Sequence, residues 1–234
     1  DVITISSSTA AGDSITGGTG NDTFAFSSAH YTSADTISGG AGDDTLELAN
    51  AVAIVDADFT NVTNIEALTF SVASSDTDLG AEYVESGSSN ITLTTGTNDL
   101  NLDSVTSAQT LNLVAGTDTI DASSMTAALT VKAATASITS ADTITAGTGA
   151  LAVTGDDGGD IITLTASTGR DTVSVAAGDS LGVITGSGNL GAITTYDLIT
   201  GFNVGTTAAS KDALNMAVTA TLATATTVSG TNTT

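Results

Sequence analysis

Short apolar bursts recur at nearly constant spacing through the middle of this chain, and that rhythm limits the fold more than any single residue does. Ile91-Thr92-Leu93, Leu100-Asn101-Leu102, Leu111-Asn112-Leu113, Leu129-Thr130-Val131, Leu151-Ala152-Val153 and Val173-Ser174-Val175 each alternate at period two. Alternation of this kind turns one set of side chains inward and sends threonine, serine and asparagine outward, as in short strands. The leading apolar residues Ile91, Leu100, Leu111, Ile120, Leu129 and Ile138 are separated by 9, 11, 9, 9 and 9 residues. A looser series continues through Ile144, Leu151, Ile161 and Val173. One step near nine residues is a strand plus a turn, and two steps make one coil of a parallel solenoid. The expected fold is all-β, a parallel β-solenoid of β-roll type. An antiparallel β-sandwich is the alternative, because its strands are spaced similarly. Aromatic residues are only 3% of the chain, which favours a narrow interior of Val, Leu, Ile and Ala.

Texture divides the chain into four parts. Residues 1–48 carry the glycine–aspartate motifs and are expected to form a β-roll unit of their own. Residues 49–90 interrupt the rhythm as an irregular connecting segment, hold many of the bulky side chains (Phe59, Ile65, Leu68 and Phe70 among them) and have room for a short helical turn. Residues 91–218 are the repetitive solenoid, and residues 219–234 form a Thr/Ala-rich tail.

Two nonapeptides stand out, Gly17-Gly18-Thr19-Gly20-Asn21-Asp22-Thr23-Phe24-Ala25 and Gly39-Gly40-Ala41-Gly42-Asp43-Asp44-Thr45-Leu46-Glu47. Both fit G-G-x-G-x-D-x-U-x, where U is a large apolar residue. Glycines allow a turn that aims successive carbonyl oxygens at one point, the aspartate adds a carboxylate, and the apolar residue anchors the next strand. Calcium accepts six to eight such oxygens, and one turn supplies only part of that shell. A stacked neighbour has to complete it. Degenerate relatives occur at Gly12-Asp13-Ser14-Ile15, Asp35-Thr36-Ile37 and elsewhere. Gly155-Asp156-Asp157-Gly158-Gly159-Asp160-Ile161 brings three carboxylates together and makes Asp156, Asp157 and Asp160 further candidates for the metal. Asp118, Asp142 and Asp171 read as aspartates capping strand-to-strand turns.

These motifs resemble the RTX nonapeptide repeat, the calcium-binding parallel β-roll of type I-secreted bacterial proteins. The resemblance implies Ca²⁺ as the bound ion, with ligands from Gly17, Thr19 and Asp22 and from Gly39, Ala41 and Asp44. The motifs begin 22 residues apart where nine or eighteen would be usual, so about four residues must loop out if the turns stack. The Thr/Asp-rich body, with Ile120–Val131, Tyr196–Phe202 and Asp212–Leu214, is similar to bacterial surface-layer proteins that carry RTX sequences. That likeness implies a chain unfolded in a low-calcium cytoplasm that folds after export.

Charge points the same way. Of 26 acidic residues only Glu47, Glu66, Glu82 and Glu85 are glutamates, and the basic residues are Lys132, Arg170 and Lys211, for a net charge of −23. Such a chain repels itself when compact unless cations neutralise it. It has no basic patch for nucleic acid, and no apolar run long enough to span a bilayer. It opens at Asp1 without a signal-peptide pattern and reads as processed or excerpted. His30 is the only histidine and cysteine is lacking, so neither a two-histidine zinc site nor a cysteine nucleophile is available. A non-enzymatic role is expected: an extracellular, calcium-dependent, self-assembling surface-layer or filament subunit at the bacterial cell surface. Its expected partners are copies of itself and cell-surface polysaccharide. An RTX adhesin, or a calcium-folding module of a secreted enzyme, is the alternative. An ice-binding face would need the pairs Thr92/Thr94, Thr117/Thr119, Thr143/Thr145 and Thr163/Thr165 in register on one side.

Overall fold

The structure, a computed structural model, describes residues 1–6, 12–27, 30–49, 53–74, 76–133, 140–155, 158–165, 169–175, 197–203 and 211–216. Its first strands are β1 (Val2–Ile5), β2 (Ser14–Thr19), β3 (Thr23–Ser27), β4 (Thr36–Ala41) and β5 (Thr45–Ala49). The next coil holds β6 (Ile54–Val55), a 3₁₀ turn at Asp56–Phe59, β7 (Val62–Thr63) and β8 (Ala67–Phe70). The coil after it holds β9 (Thr77–Asp78), a five-residue helix α1 (Ala81–Glu85) and β10 (Asn90–Thr92). From there strands come in pairs: β11 (Gly96–Asn101) with β12 (Gln109–Leu113), then β13 (Gly116–Asp121) with β14 (Leu129–Ala133). The series continues with β15 (Thr143–Thr145) and β16 (Leu151–Thr154), then β17 (Ile161–Thr163) and β18 (Thr172–Val175). It ends, among the described residues, with β19 (Leu198–Thr200) and β20 (Ala213–Met216).

Every strand pairing among these residues is parallel. The fold is therefore a parallel β-solenoid, and the antiparallel sandwich is excluded. One ten-stranded sheet runs β1-β3-β5-β8-β10-β12-β14-β16-β18-β20. The other face is divided between a three-stranded sheet β2-β4-β7 and a seven-stranded sheet β19-β17-β15-β13-β11-β9-β6.

The register explains the rhythm of the bursts. Ile91 lies beside Leu111, and Leu111 beside Val131, each 20 residues on, in the long sheet. Leu100 lies beside Ile120 in the opposite sheet. Successive bursts thus alternate faces, and two of them complete a coil. Ile138 falls outside the described residues. Ile161 is the exception within the series: its side chain is 45% exposed and Ile162 takes the inward place beside Ile144. In the first coils the repeat is 22 residues, with Phe24 beside Leu46 and Leu46 beside Leu68. The additional residues sit in the long β3–β4 connection, which turns Tyr31 into the core.

The interior is one continuous apolar cluster from Ile5 to Val175. Its long-sheet wall is the column Phe24, Leu46, Leu68, Ile91, Leu111, Val131, Val153, Val173, each at most 2% exposed. Burying each such side chain contributes about 1.5–3 kcal/mol, which is why strands of three to five residues with few inward positions are enough. The cross-section changes where the short sheet ends at β7 and the longer one begins at β6. That change is filled by aromatic rings: Phe26, Tyr31, Phe59 and Tyr83 meet edge to face with centroids 5.4, 5.7 and 5.4 Å apart. Asp56 fastens the same region. Its Oδ1 accepts the amides of Gly80 at 2.8 Å and Tyr83 at 2.9 Å, and so caps α1 from the preceding coil.

Candidate metal centre

The two full motifs lie on stacked coils, one directly above the other. Gly18 pairs with Gly40 and Thr19 with Ala41 between β2 and β4, and the Gly20 amide donates to the Ala41 carbonyl at 2.8 Å. Gly18 and Gly40 hold φ of 110° and 109°, a region that side chains with a Cβ rarely occupy. The stacking also leaves no space at Gly17. A Cβ there would lie 2.4 Å from Asp22 Oδ2 and 2.6 Å from the Gly39 carbonyl oxygen. A carboxylate oxygen of one turn and a main-chain oxygen of the next therefore converge beside Gly17.

The hydrogen bonds of the two aspartates leave one carboxylate oxygen of each unsatisfied. Asp22 is 2% exposed, and its Oδ1 accepts the Asp1 amino group at 2.7 Å. The Asp22 amide donates to Asp44 Oδ1 at 2.7 Å. Oδ2 of Asp22 and Oδ2 of Asp44 are both buried and accept no hydrogen bond. A buried carboxylate oxygen without a partner costs several kcal/mol (~1–3 kcal/mol even for a neutral group) unless a cation takes the place of water. No group of three or more His, Cys, Asp or Glu side chains gathers among the described residues. A cation at these turns would be held largely by backbone carbonyls; of those expected from Gly17, Thr19, Gly39 and Ala41, the Gly39 oxygen stands beside Asp22 Oδ2, and the Ala41 oxygen accepts the Gly20 amide. The donor set is all oxygen, which suits calcium.

Elsewhere the turn aspartates hydrogen-bond to one another's backbone, coil to coil. The amides of Ser74, Asn98, Asp118, Asp142 and Asp160 donate in turn to Oδ1 of Asn98, Asp118, Asp142, Asp160 and Asp197, at 2.9–3.1 Å. Asp160 belongs to this ladder. Asp156 and Asp157 lie outside the described residues. On the other edge, the amides of Leu151 and Asp171 donate to Asp171 and Asp212. Asp35 shows the same arrangement near the motifs: Oδ1 accepts the Asp13 amide at 2.7 Å and Oδ2 the Thr32 amide at 2.8 Å. Sequence reasoning identified Asp118, Asp142 and Asp171 as caps but not the ladder, whose signal is an aspartate or asparagine two residues ahead of each inward apolar residue, as Asn98 before Leu100 and Asp118 before Ile120.

Residues 8–26 and 32–49 match the family described as RTX calcium-binding nonapeptide repeat (4 copies). The chain carries RTX repeats. The matched segments include the degenerate turns of Asp13 and Asp35 as well as those of Asp22 and Asp44, so RTX repeats occupy both edges of the first coils. RTX repeats bind calcium, and the oxygens converging beside Gly17 fit that ion. No curated protein and no solved structure matches the chain. The T-x-T pairs are not in register on one face: within the seven-stranded sheet Thr119 lies beside Thr143 and Thr145 beside Thr163, a shift of two, while Thr92 is on the other sheet. Among the described residues no helix is long and apolar enough to cross a membrane.

Proposed function

We propose that this chain is a calcium-folded structural protein of the bacterial exterior, a surface-layer or filament subunit that assembles with copies of itself. The observation that carries the proposal is the buried, unsatisfied Oδ2 of Asp22 set against the Gly39 carbonyl within an RTX repeat. Calcium bound there ties one coil to the next and offsets part of the net charge of −23. Millimolar calcium is found outside cells, so folding follows export. RTX-repeat proteins are typically secreted, which supports an extracellular location.

Self-assembly is supported by the mode of stacking: each coil pairs with the next through parallel strands, a pairing that a coil of another copy can continue. The residue types argue for a structural role over catalysis, since the chemistry present is carboxylates in turns and hydroxyls on strands. Cell-surface polysaccharide is a second partner that such a hydroxyl-rich surface suits.

Static light scattering with far-UV circular dichroism, recorded from chelator to ~10 mM calcium, tests this reading, since weak extracellular sites half-saturate near 10⁻³ M. Calcium-dependent β-structure together with large, chelator-reversible assemblies is the expected result. A chain that gains β-structure and stays monomeric contradicts the assembly and favours an adhesin or an appended folding module.

A further inference from the structure

We propose a second cation position one coil below the first, where Asp44 Oδ2, the Asn64 carbonyl and the Glu66 carboxylate supply the protein oxygens; it rests on the calcium reading above. Nothing in the sequence of Asn61-Val62-Thr63-Asn64-Ile65-Glu66 fits the glycine motif, and the RTX match ends at residue 49. The geometry nevertheless repeats that of the first position. A Cβ at Gly39 would lie 2.4 Å from Asp44 Oδ2 and 2.0 Å from the Asn64 carbonyl oxygen, as one at Gly17 would meet Asp22 Oδ2 and the Gly39 carbonyl. The two oxygens are thus close enough to share one ion, whose ligands stand ~2.3–2.6 Å from it.

Asp44 is fully buried, and its Oδ2 accepts no hydrogen bond. Its amide donates to Glu66 Oε2 at 2.7 Å, which places a second carboxylate against the same turn. The register explains how an unrelated hexapeptide comes to imitate the motif. Val62 lies beside Ile37, 25 residues back, but Ala67 lies beside Thr45, only 22 back. The lower turn is three residues shorter, so Asn64 falls under Gly39 and Glu66 under Asp44. Glutamate's additional methylene spans what the shorter turn leaves open. Asn64 takes φ of 53°, and asparagine is among the few side chains that tolerate this region, so its carbonyl can point towards Gly39.

Equilibrium dialysis of the full chain against calcium, with bound ions counted by mass spectrometry, tests the assignment on Glu66→Gln, Glu66→Asp and Asp22→Asn. Glutamine keeps an acceptor for the Asp44 amide, so far-UV circular dichroism at saturating calcium should be unchanged. Glu66→Gln is expected to bind one ion fewer than the unaltered chain. Glu66→Asp, which keeps the charge and withdraws it by a methylene, should hold that ion at least ten-fold more weakly, and it reports on the position even where the glutamine variant fails to fold. Asp22→Asn should lose a different ion, and the Glu66→Gln/Asp22→Asn double variant two. Equal counts and equal affinities in both Glu66 variants overturn the second position and leave the first intact. An unaltered chain that binds no calcium overturns the reading of the first position along with it.

Discussion

At Asp142 the carboxylate Oδ1 accepts the Asp118 amide at 2.9 Å, and two coils earlier Asn98 makes the same kind of bond, from the Ser74 amide at 3.1 Å, with an uncharged amide oxygen. The ladder therefore asks for an acceptor and not for a charge. Asp22 and Asp44 make the same Oδ1 bond and differ in what faces Oδ2: a glycine of their own turn and a main-chain carbonyl of the next coil. Asp142→Asn is accordingly expected to cost less than ~1 kcal/mol and to leave the number of bound calcium ions unchanged. Asp142→Ala strands the Asp118 amide and should cost ~1–3 kcal/mol in urea denaturation at fixed calcium. Loss of an ion from Asp142→Asn would show that the ladder, too, is a metal column.

At the scale of elements, the aromatic file Phe26–Tyr31–Phe59–Tyr83 holds together the coils in which the three-stranded sheet gives way to the seven-stranded one. Phe59 is 1% exposed, sits between two tyrosines, and belongs to a 3₁₀ turn with little backbone pairing of its own. Phe59→Ala should destabilise by about 3–5 kcal/mol in chemical denaturation, a cost that a merely peripheral loop residue would not carry. Burial pushes the hydroxyls of Tyr31 and Tyr83 above the ordinary tyrosine value, and Asp58 and Asp35 add to the shift at Tyr31. The native state thus holds these protons where the unfolded chain releases them. Their contribution to stability is complete below about pH 10 and is lost as pH rises beyond it. Absorbance near 295 nm should show both phenolates appearing together with loss of β-structure, and their ionisation in a still-folded protein would contradict the packing described. The short strands of residues 91–175 were legible from the sequence because alternation and spacing both report on the inward face. The aromatic file was not, because Tyr31 and Phe59 lie in connections where no period marks which side faces in. The second oxygen pair at Asp44 was hidden for a related reason: Glu66 comes under Asp44 only through a three-residue shift between β7 and β8 that composition does not announce.

Across the whole molecule, each coil touches its neighbours alone, so stability spreads along the stack one interface at a time. Two kinds of turn follow one another along the chain. Between Gly17 and Glu66 the amide-to-carboxylate bonds run beside glycine turns of the RTX segments, where a second, buried carboxylate oxygen meets a main-chain carbonyl of the next coil; from Asn98 to Asp197 the amide of one coil donates to the aspartate of the next, outside those segments. Calcium should accordingly stabilise the first coils most. Hydrogen exchange followed by mass spectrometry, with and without chelator, tests this claim most directly. At calcium of about 100 times the dissociation constant, linkage adds ~2.7 kcal/mol per site, or roughly 100-fold in protection. That gain is expected in peptides covering residues 17–49, with a much smaller one across β12 to β14. Equal protection of residues 17–49 with and without calcium would contradict it, leaving Asp22 and Asp44 as turn residues like the rest of the ladder.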